Sequence, residues 1–348
     1  MEGLNQTAQK FLRSYEQQYR QFQAEAELAR GFIKEVTRGS SALVHTIAAR
    51  AKTPESVLRK IRRKHYSDPD KQVTDLIGVR VITFYSDDVD AIAARLQDNL
   101  DINLPESIDK RVQLGLREFG YRSVQLIARL KPAHPSTEDF KVLKGRWFEI
   151  QVRSILEHAW AEIEHEVVYK SGVRFPEEVV RRFASLAGTL ELLDSEFLAL
   201  RQERDDLIDG YRHAYTKHGD DRRAFDVARL LGYLEAARPK GLSWRQAEEA
   251  GTPFHAGLDS SCVDALKAVG LGTARSLSDV FKSRRFRYAA SSFAASQGIA
   301  PKSVSHVAAV VLALVVTDAN VIRRHFPDVV FDSAIEEMIE RRLAKRSG

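Results

Sequence analysis

Residues able to do chemistry gather on a few short stretches of this chain. In RWFEIQVR, residues 146–153, Phe148, Ile150 and Val152 alternate with Glu149, Gln151 and Arg153, so the charged and polar three share one side of a strand. Such a face suits either a salt-bridged edge in water or a site that handles charged oxygens. Asp75 lies in VTDLIGVRVITFY (73–85), which is β-branched and apolar enough for a buried strand. Two carboxylates at one sheet edge can hold a hard divalent cation, which beside phosphates is usually Mg²⁺ with several waters retained. Spacing alone does not bring Asp75 to Glu149.

Cations form a second group. Arg50, Lys52, Lys60, Arg62, Arg63 and Lys64 lie on or before one helix, and Lys110, Arg111, Arg117 and Arg122 surround the glycine-bearing loop KRVQLGLREFG (110–120). Taken alone, Arg62 to Lys64 read as a solvated helix face. The loop points further, because glycine lets backbone approach a ligand and guanidinium groups grip phosphate oxygens two at a time. It is neither a Walker A sequence nor a dinucleotide-binding fingerprint. On EHAWAEIEHEVVYK (157–170), His158, Glu162, His165 and Tyr169 fall on one stripe. The sequence at His165 is HEVVY rather than H-E-x-x-H, so a polar supporting layer is expected there instead of zinc, with Trp160 and Ile163 in the core.

The elements that must position these groups follow from periodicity. Residues 4–36 have a narrow helical seam through Leu12, Tyr15, Tyr19, Phe22, Ala26, Ala29, Ile33 and Val36, which suits packing on the chain's own domain or dimerisation. Thr53 and Pro54 open a helix at TPESVLRKIRRK (53–64). Strands are expected at 73–85, 121–130 and 146–153, and helices near 87–99 and 155–170. Strands interleaved with helices imply a mixed β-sheet flanked by helices, an α/β fold. The charged run 201–223 marks a domain boundary, giving an N-terminal helix over 1–40, a catalytic domain over 41–205 and an all-α domain over 206–348. In that last part Ser243 suits a helix cap, and Arg284, Arg285 and Arg287 suit either RNA or a solvated helix with Phe286 and Tyr288 in the core.

Composition bounds the class. The chain has 348 residues, 44% of them apolar and 29% charged, with a formal net charge of +5, as expected for a two-domain soluble protein that meets polyanions. One cysteine, Cys262, excludes a disulfide framework. No secretion signal or spanning stretch is read, so a cytoplasmic location is expected.

TPESVLRKIRRK, TDLIGVRVITFY, GYRSVQ, EIQVRS and HAWAEIEHEVVYK, in that order over roughly residues 40–200, resemble the synthetase domain of RelA/SpoT-type (p)ppGpp synthetases. The resemblance implies a nucleotidyltransferase-like domain in which the 3′-hydroxyl of GDP or GTP attacks the β-phosphorus of ATP with Mg²⁺ and releases AMP. By position it implies Asp75 and Glu149 as metal-binding and catalytic carboxylates. Arg50 and Arg80 would sandwich adenine, and Lys52, Lys60 and Arg117 would bind phosphate. Tyr121, Ser123 and Gln125 fall on the acceptor side, and Gln151, Arg153, Glu164 and His165 line or support the site. Asp75 and Arg80 have opposite strand parity, so a bulge at Gly78 is required, or Asp75 must precede the regular strand.

The family's acceptor motif usually has histidine where this chain has Gln125, and glutamine carries no charge near neutral pH. The acceptor is therefore a guanosine nucleotide, an adenosine counterpart or, as in toxins of the same fold, the 3′ end of tRNA. A degenerate regulatory module is the remaining alternative. The hydrolase half of the long family members is expected to be absent, since no His-Asp dipeptide occurs. Homo-oligomers and an antitoxin or regulatory protein are open as partners.

Overall fold

The computed structural model describes residues 4–38, 40–109, 123–131, 140–169, 176–218, 222–237, 243–244, 258–296, 303–329, 331 and 333–344. The chain divides into two compact units, Met1–Ala199 and Leu200–Gly348.

In the first unit a long helix, α1 (Gln6–Thr37), begins where the Asn5 side chain accepts from the Ala8 N–H. Its seam is consumed by the unit's own core: Leu12, Tyr15, Phe22, Ala26, Ala29, Ile33 and Val36 are buried, and Tyr19 packs against them. The next elements are β1 (Val44–Ala51), α2 (Pro54–Lys64), a short α3 (Pro69–Gln72), β2 (Ile77–Thr83) and α4 (Ser86–Asn99). They are followed by β3 (Leu100–Ile102), β4 (Ile108–Asp109), β5 (Val124–Leu130), β6 (Phe148–Ser154) and α5 (Ile155–Glu164).

Strand order is β1-β2-β6-β5-β3, with β4 pairing β5. β2 and β6 run parallel, while β1–β2, β5–β6 and β3–β5 are antiparallel, so the sheet is mixed. On one face Ile77, Val79, Val81, Phe148, Ile150, Val152, Val124 and Leu126 are buried in the core shared with α1 and α4. Each such aliphatic or aromatic side chain contributes about 1.5–3 kcal/mol when fully buried. The alternation leaves the other face to polar residues.

Local chemistry sets several boundaries. Thr53 caps α2 by accepting from the Ser56 N–H, and Pro54 stands at the first helical position. Ser154 ends β6 and starts α5 through a capping box with Glu157, in which each side chain accepts the other's main-chain N–H. The Ser154 hydroxyl also donates to Asp194 at 2.7 Å.

Several expectations are corrected. The strand expected over 73–85 starts only at Ile77, because α3 and the turn after it occupy the preceding residues. α5 ends at Glu164 and passes into a π-helical turn, His165–Tyr169. Ile163 is exposed rather than core. The charged run at 201–223 lies largely within one helix, α6 (Glu177–His218), and the two compact units divide inside it, at 199/200.

The second unit is mostly helical around a buried helix, His306–Asp318, whose residues Ala308 to Val315 are all buried. It is not wholly α, because two-residue strands β7 (Ser243–Trp244) and β8 (Ser303–Val304) pair in parallel; the helix that Ser243 was expected to cap lies outside the described residues. Tyr288 is 77% exposed, while Phe286 is buried, so only one of those two aromatics is core. Among the described residues no helix is long and apolar enough to cross a membrane.

Candidate active site

The polar face of the sheet is laid out by register. Gly78 of β2 pairs with Arg50 of β1 on one side and Glu149 of β6 on the other. One row along, Arg80 pairs with Ala48 and Gln151, and Gln151 pairs with Gln125 of β5. Directly paired residues share a face, so Arg50, Glu149, Arg80, Gln151 and Gln125 project from the same side. Gly78 pairs in register on both sides, and the bulge proposed for it is absent.

Asp75 reaches this face because it precedes β2. The turn is anchored by the Lys52 N–H, which donates to the Leu76 carbonyl at 2.8 Å. Asp75 lies between two lysines: Lys60 Nζ is 2.6 Å from Oδ1, and Lys52 Nζ donates to Oδ2. Burial alone would raise its pKa; the two lysines, Lys52 foremost, outweigh burial and hold the carboxyl below its ordinary value.

Asp75, Lys52, Arg50, Arg80, Glu149 and Gln151 line one cavity of about 200 Å³. Thr53 and Ser56 complete part of its wall. The start of α2 thus adds the positive end of a helix dipole to the cations already present. Gly78 forms floor, and a Cβ built there would meet nothing within 4 Å. Glu149 has no ion-pair or hydrogen-bond partner among the described residues, and Gln151 Oε1 is buried without one.

Behind the cavity, Arg80 pairs with Glu162 of α5 at 2.7 Å. Arg153 is lowered by burial first and then by the charge of Arg80, and its Nε has no hydrogen-bond partner among the described residues. Burial also lowers His158, with Arg80, Arg153 and His45 opposing its charge and Glu162 favouring it, so it stands neutral at pH 7. Among the described residues no cluster of three or more His, Cys, Asp or Glu could hold a metal.

The other site expectations divide. Lys60 enters through its ion pair with Asp75. Gln125 Nε2 donates weakly to the Ser123 hydroxyl at 3.4 Å, on the β5 side of the sheet. Glu164 ends α5, and His165 is exposed at the π-helical turn; neither lines the cavity. Arg117 and Tyr121 lie outside the described residues. Tyr15 was missed: from α1 its hydroxyl donates to the Lys52 carbonyl at 2.5 Å. Burial first, then Tyr19 and Asp75, raise its pKa, so the hydroxyl keeps its proton. No signal separated Tyr15 from its neighbours in an apolar seam.

Residues 49–174 match the family described as "Region found in RelA / SpoT proteins". GTP pyrophosphokinase YjbM of Bacillus subtilis (strain 168) is 29% identical over 161 residues, which are 46% of this chain and 73% of the relative. GTP pyrophosphokinase YwaC of the same organism is 28% identical over 171 residues, 48% of this chain and 78% of the relative. The crystal structure of the small alarmone synthetase 1 from Bacillus subtilis aligns at 23% identity over 58% of this chain and 100% of that one, with a TM-score of 0.42. Every cavity-lining charge named above falls within the family match.

Proposed function

We propose that this chain, whose residues 49–174 carry the region found in RelA / SpoT proteins, moves the β,γ-pyrophosphate of ATP to the 3′-hydroxyl of a guanosine nucleotide and releases AMP. The reaction type follows that of GTP pyrophosphokinases YjbM and YwaC. One observation carries the reading. A carboxylate kept ionised between two lysines, Asp75, shares a small cavity with Glu149, a carboxylate that has no ion-pair or hydrogen-bond partner among the described residues.

Phosphoryl-type transfer needs positioning and charge neutralisation more than covalent help. Arg50 and Arg80 pack on adenine through cation–π contacts. Lys52, Lys60 and the start of α2 take the phosphates, with Arg117 as a further clamp. Tyr121 stacks on the acceptor base, beside Ser123 and Gln125. Glu149 accepts the 3′-hydroxyl proton while that oxygen attacks the β-phosphorus. The bond from β-phosphorus to the oxygen bridging it to the α-phosphorus breaks, and AMP leaves with that oxygen. Gln151, Arg153, Glu164 and His165 support the strand and helix that carry these groups.

Asp75 and Glu149 would hold a hard divalent cation, with Lys52 and Lys60 passing from the Asp75 oxygens to the phosphates. Mg²⁺ is commonly held by one or two carboxylates together with substrate phosphates and waters, and here the carboxylates would be Asp75 and Glu149. Mg²⁺ when bound supplies positive charge against the phosphate oxygens.

A second reading keeps the donor and changes the acceptor to the tRNA 3′ end or an adenosine nucleotide. Gln125, neutral and engaged with Ser123, is what favours it. ATP labelled in its γ-phosphate, incubated with Mg²⁺ and GDP, GTP, ADP or tRNA, separates these outcomes. Label on the guanosine nucleotide with stoichiometric AMP is expected. Label on tRNA or ADP alone selects the second reading, and no AMP with any acceptor leaves only a regulatory module. A buried Cys262 thiol fits the reducing cytoplasm proposed as location.

A further inference from the structure

The run KSRRFRY, residues 282–288, sets four cations and two aromatics within seven residues and holds no carboxylate. Most of it belongs to the helix Arg284–Ser296, which Ser283 opens by accepting from the Phe286 N–H at 3.1 Å. The inner side of that helix is fully used, since Phe286, Ala289, Ala290, Phe293 and Ala294 are buried. Its outer side carries Arg284, Arg285, Arg287, Tyr288, Ser291 and Ser292, all exposed.

A solvated helix would account for these arginines only with both aromatics in the core, and Tyr288 is not there. It is 77% exposed, and no large hydrophobic side chain among the described residues is more so. Arg284 and Arg285 stand four and three residues before it, and Ser291 and Ser292 three and four after it, so the ring rises from the middle of a polar patch. Stability does not explain the charges. Arg284 and Arg287 are like charges three residues apart, and the first turn, at the positive end of the helix dipole, holds no acid to offset them. Elsewhere in this unit Arg323 reaches Glu336 at 2.6 Å and Glu340 at 2.8 Å. Lys282, Arg284, Arg285 and Arg287 make no ion pair among the described residues.

We propose that this patch binds single-stranded RNA. Guanidinium groups take phosphate oxygens two at a time. A protruding tyrosine ring is a platform on which an unpaired base stacks, which a base inside a duplex cannot do. Ser291 and Ser292 offer hydroxyls to the ribose 2′-hydroxyl, the group that DNA lacks. An anionic membrane surface would call for an apolar face beside the cations, and a protein interface for an apolar centre. Tyr288 has no large apolar neighbour on this side of its helix. The patch lies wholly in the second unit and outside residues 49–174, so it belongs to a part of the chain that the family match does not reach.

The test is fluorescence anisotropy of a labelled single-stranded RNA of about 12 nucleotides, titrated with the full chain in the absence of ATP. Binding is then read without turnover and stands or falls apart from the pyrophosphokinase reading. The wild type should bind, and bind less tightly as salt rises. Arg284→Gln, Arg285→Gln and Arg287→Gln together should weaken binding by about tenfold or more. They should also lower the slope of log affinity against log salt by about 2, for three phosphate contacts on a single strand. Tyr288→Ala should weaken binding by about tenfold with the slope unchanged, while Tyr288→Phe binds as the wild type does, because stacking needs the ring and not the hydroxyl. All four positions are exposed, so circular dichroism and thermal unfolding of the variants should match the wild type. A wild type that binds no RNA overturns the proposal, and so does a folded triple variant with wild-type affinity and slope. Equal or tighter binding of a duplex, of the DNA strand of the same sequence or of phosphatidylserine vesicles overturns it as well.

Discussion

The Tyr15 hydroxyl donates to the main-chain carbonyl of Lys52 at 2.5 Å, tying the first helix to the residue that holds Asp75. Tyr15 is 2% exposed and its ring tilts against Phe22 at 4.7 Å, so the hydroxyl is aimed by packing on every other side. A core helix thereby sets the position of a lysine at the mouth of the cavity.

Tyr15→Phe keeps the ring and removes the donor. The change should cost about 1–2 kcal/mol of stability, because a part-buried carbonyl loses its partner. The KM for ATP should rise several-fold while kcat changes little. Denaturant unfolding and steady-state kinetics check both; an unaltered KM would separate the hydrogen bond from the placement of Lys52.

Glu149→Gln is nearly isosteric and takes away the proton acceptor. Its kcat should fall by about a hundredfold or more, with the unfolding midpoint within a degree or two of wild type. Turnover near the wild-type level would remove Glu149 from the reaction.

Gly78→Leu tests the cavity floor. A Cβ meets nothing within 4 Å at this position, so the strand should tolerate the change. The longer side chain then projects into the space between Arg50 and Glu149. ATP binding, measured by calorimetry, should be lost while the fold persists. Wild-type affinity would place the nucleotide elsewhere.

The pH dependence of stability has a defined sign at Asp75. Its folded pKa is depressed, so its contribution is present above the ordinary carboxylate value of about 3.9 and is lost as pH falls through the folded value. Lys60→Met leaves burial opposed by Lys52 alone and should raise the pKa of Asp75. The loss of stability then begins at higher pH. Carbon-detected NMR titration reads the shift directly, and an unmoved Asp75 would show that Lys60 has no hold on it.

Much of the site was legible residue by residue. Alternation in RWFEIQVR placed Glu149, Gln151 and Arg153 on one face, and β6 shows them so. Thr53 and Pro54 marked the start of α2, as the structure shows. The strand Val44–Ala51 was not legible: VHTIAARA is rich in alanine, a weak strand marker, and sits at a sheet edge with most of its residues part-exposed. The helix α6 was also not foreseen as an element, because its charged second half reads as a domain boundary. Ile163 and Tyr288 were placed in the core on residue type alone and are exposed.

By itself the sequence determined which side chains share a strand face, where a capped helix such as α2 begins and the order of the chemistry-bearing stretches. These depend on neighbours a few residues apart, through the periods of strand and helix and the hydrogen bonds of caps. Only the tertiary structure decided that Asp75 lines the same cavity as Glu149. That meeting requires β2 to pair in parallel with β6, some seventy residues later, and to begin at Ile77 so that Asp75 escapes the strand's alternation. Register and strand start are set by which surfaces bury together, and no local period carries that information.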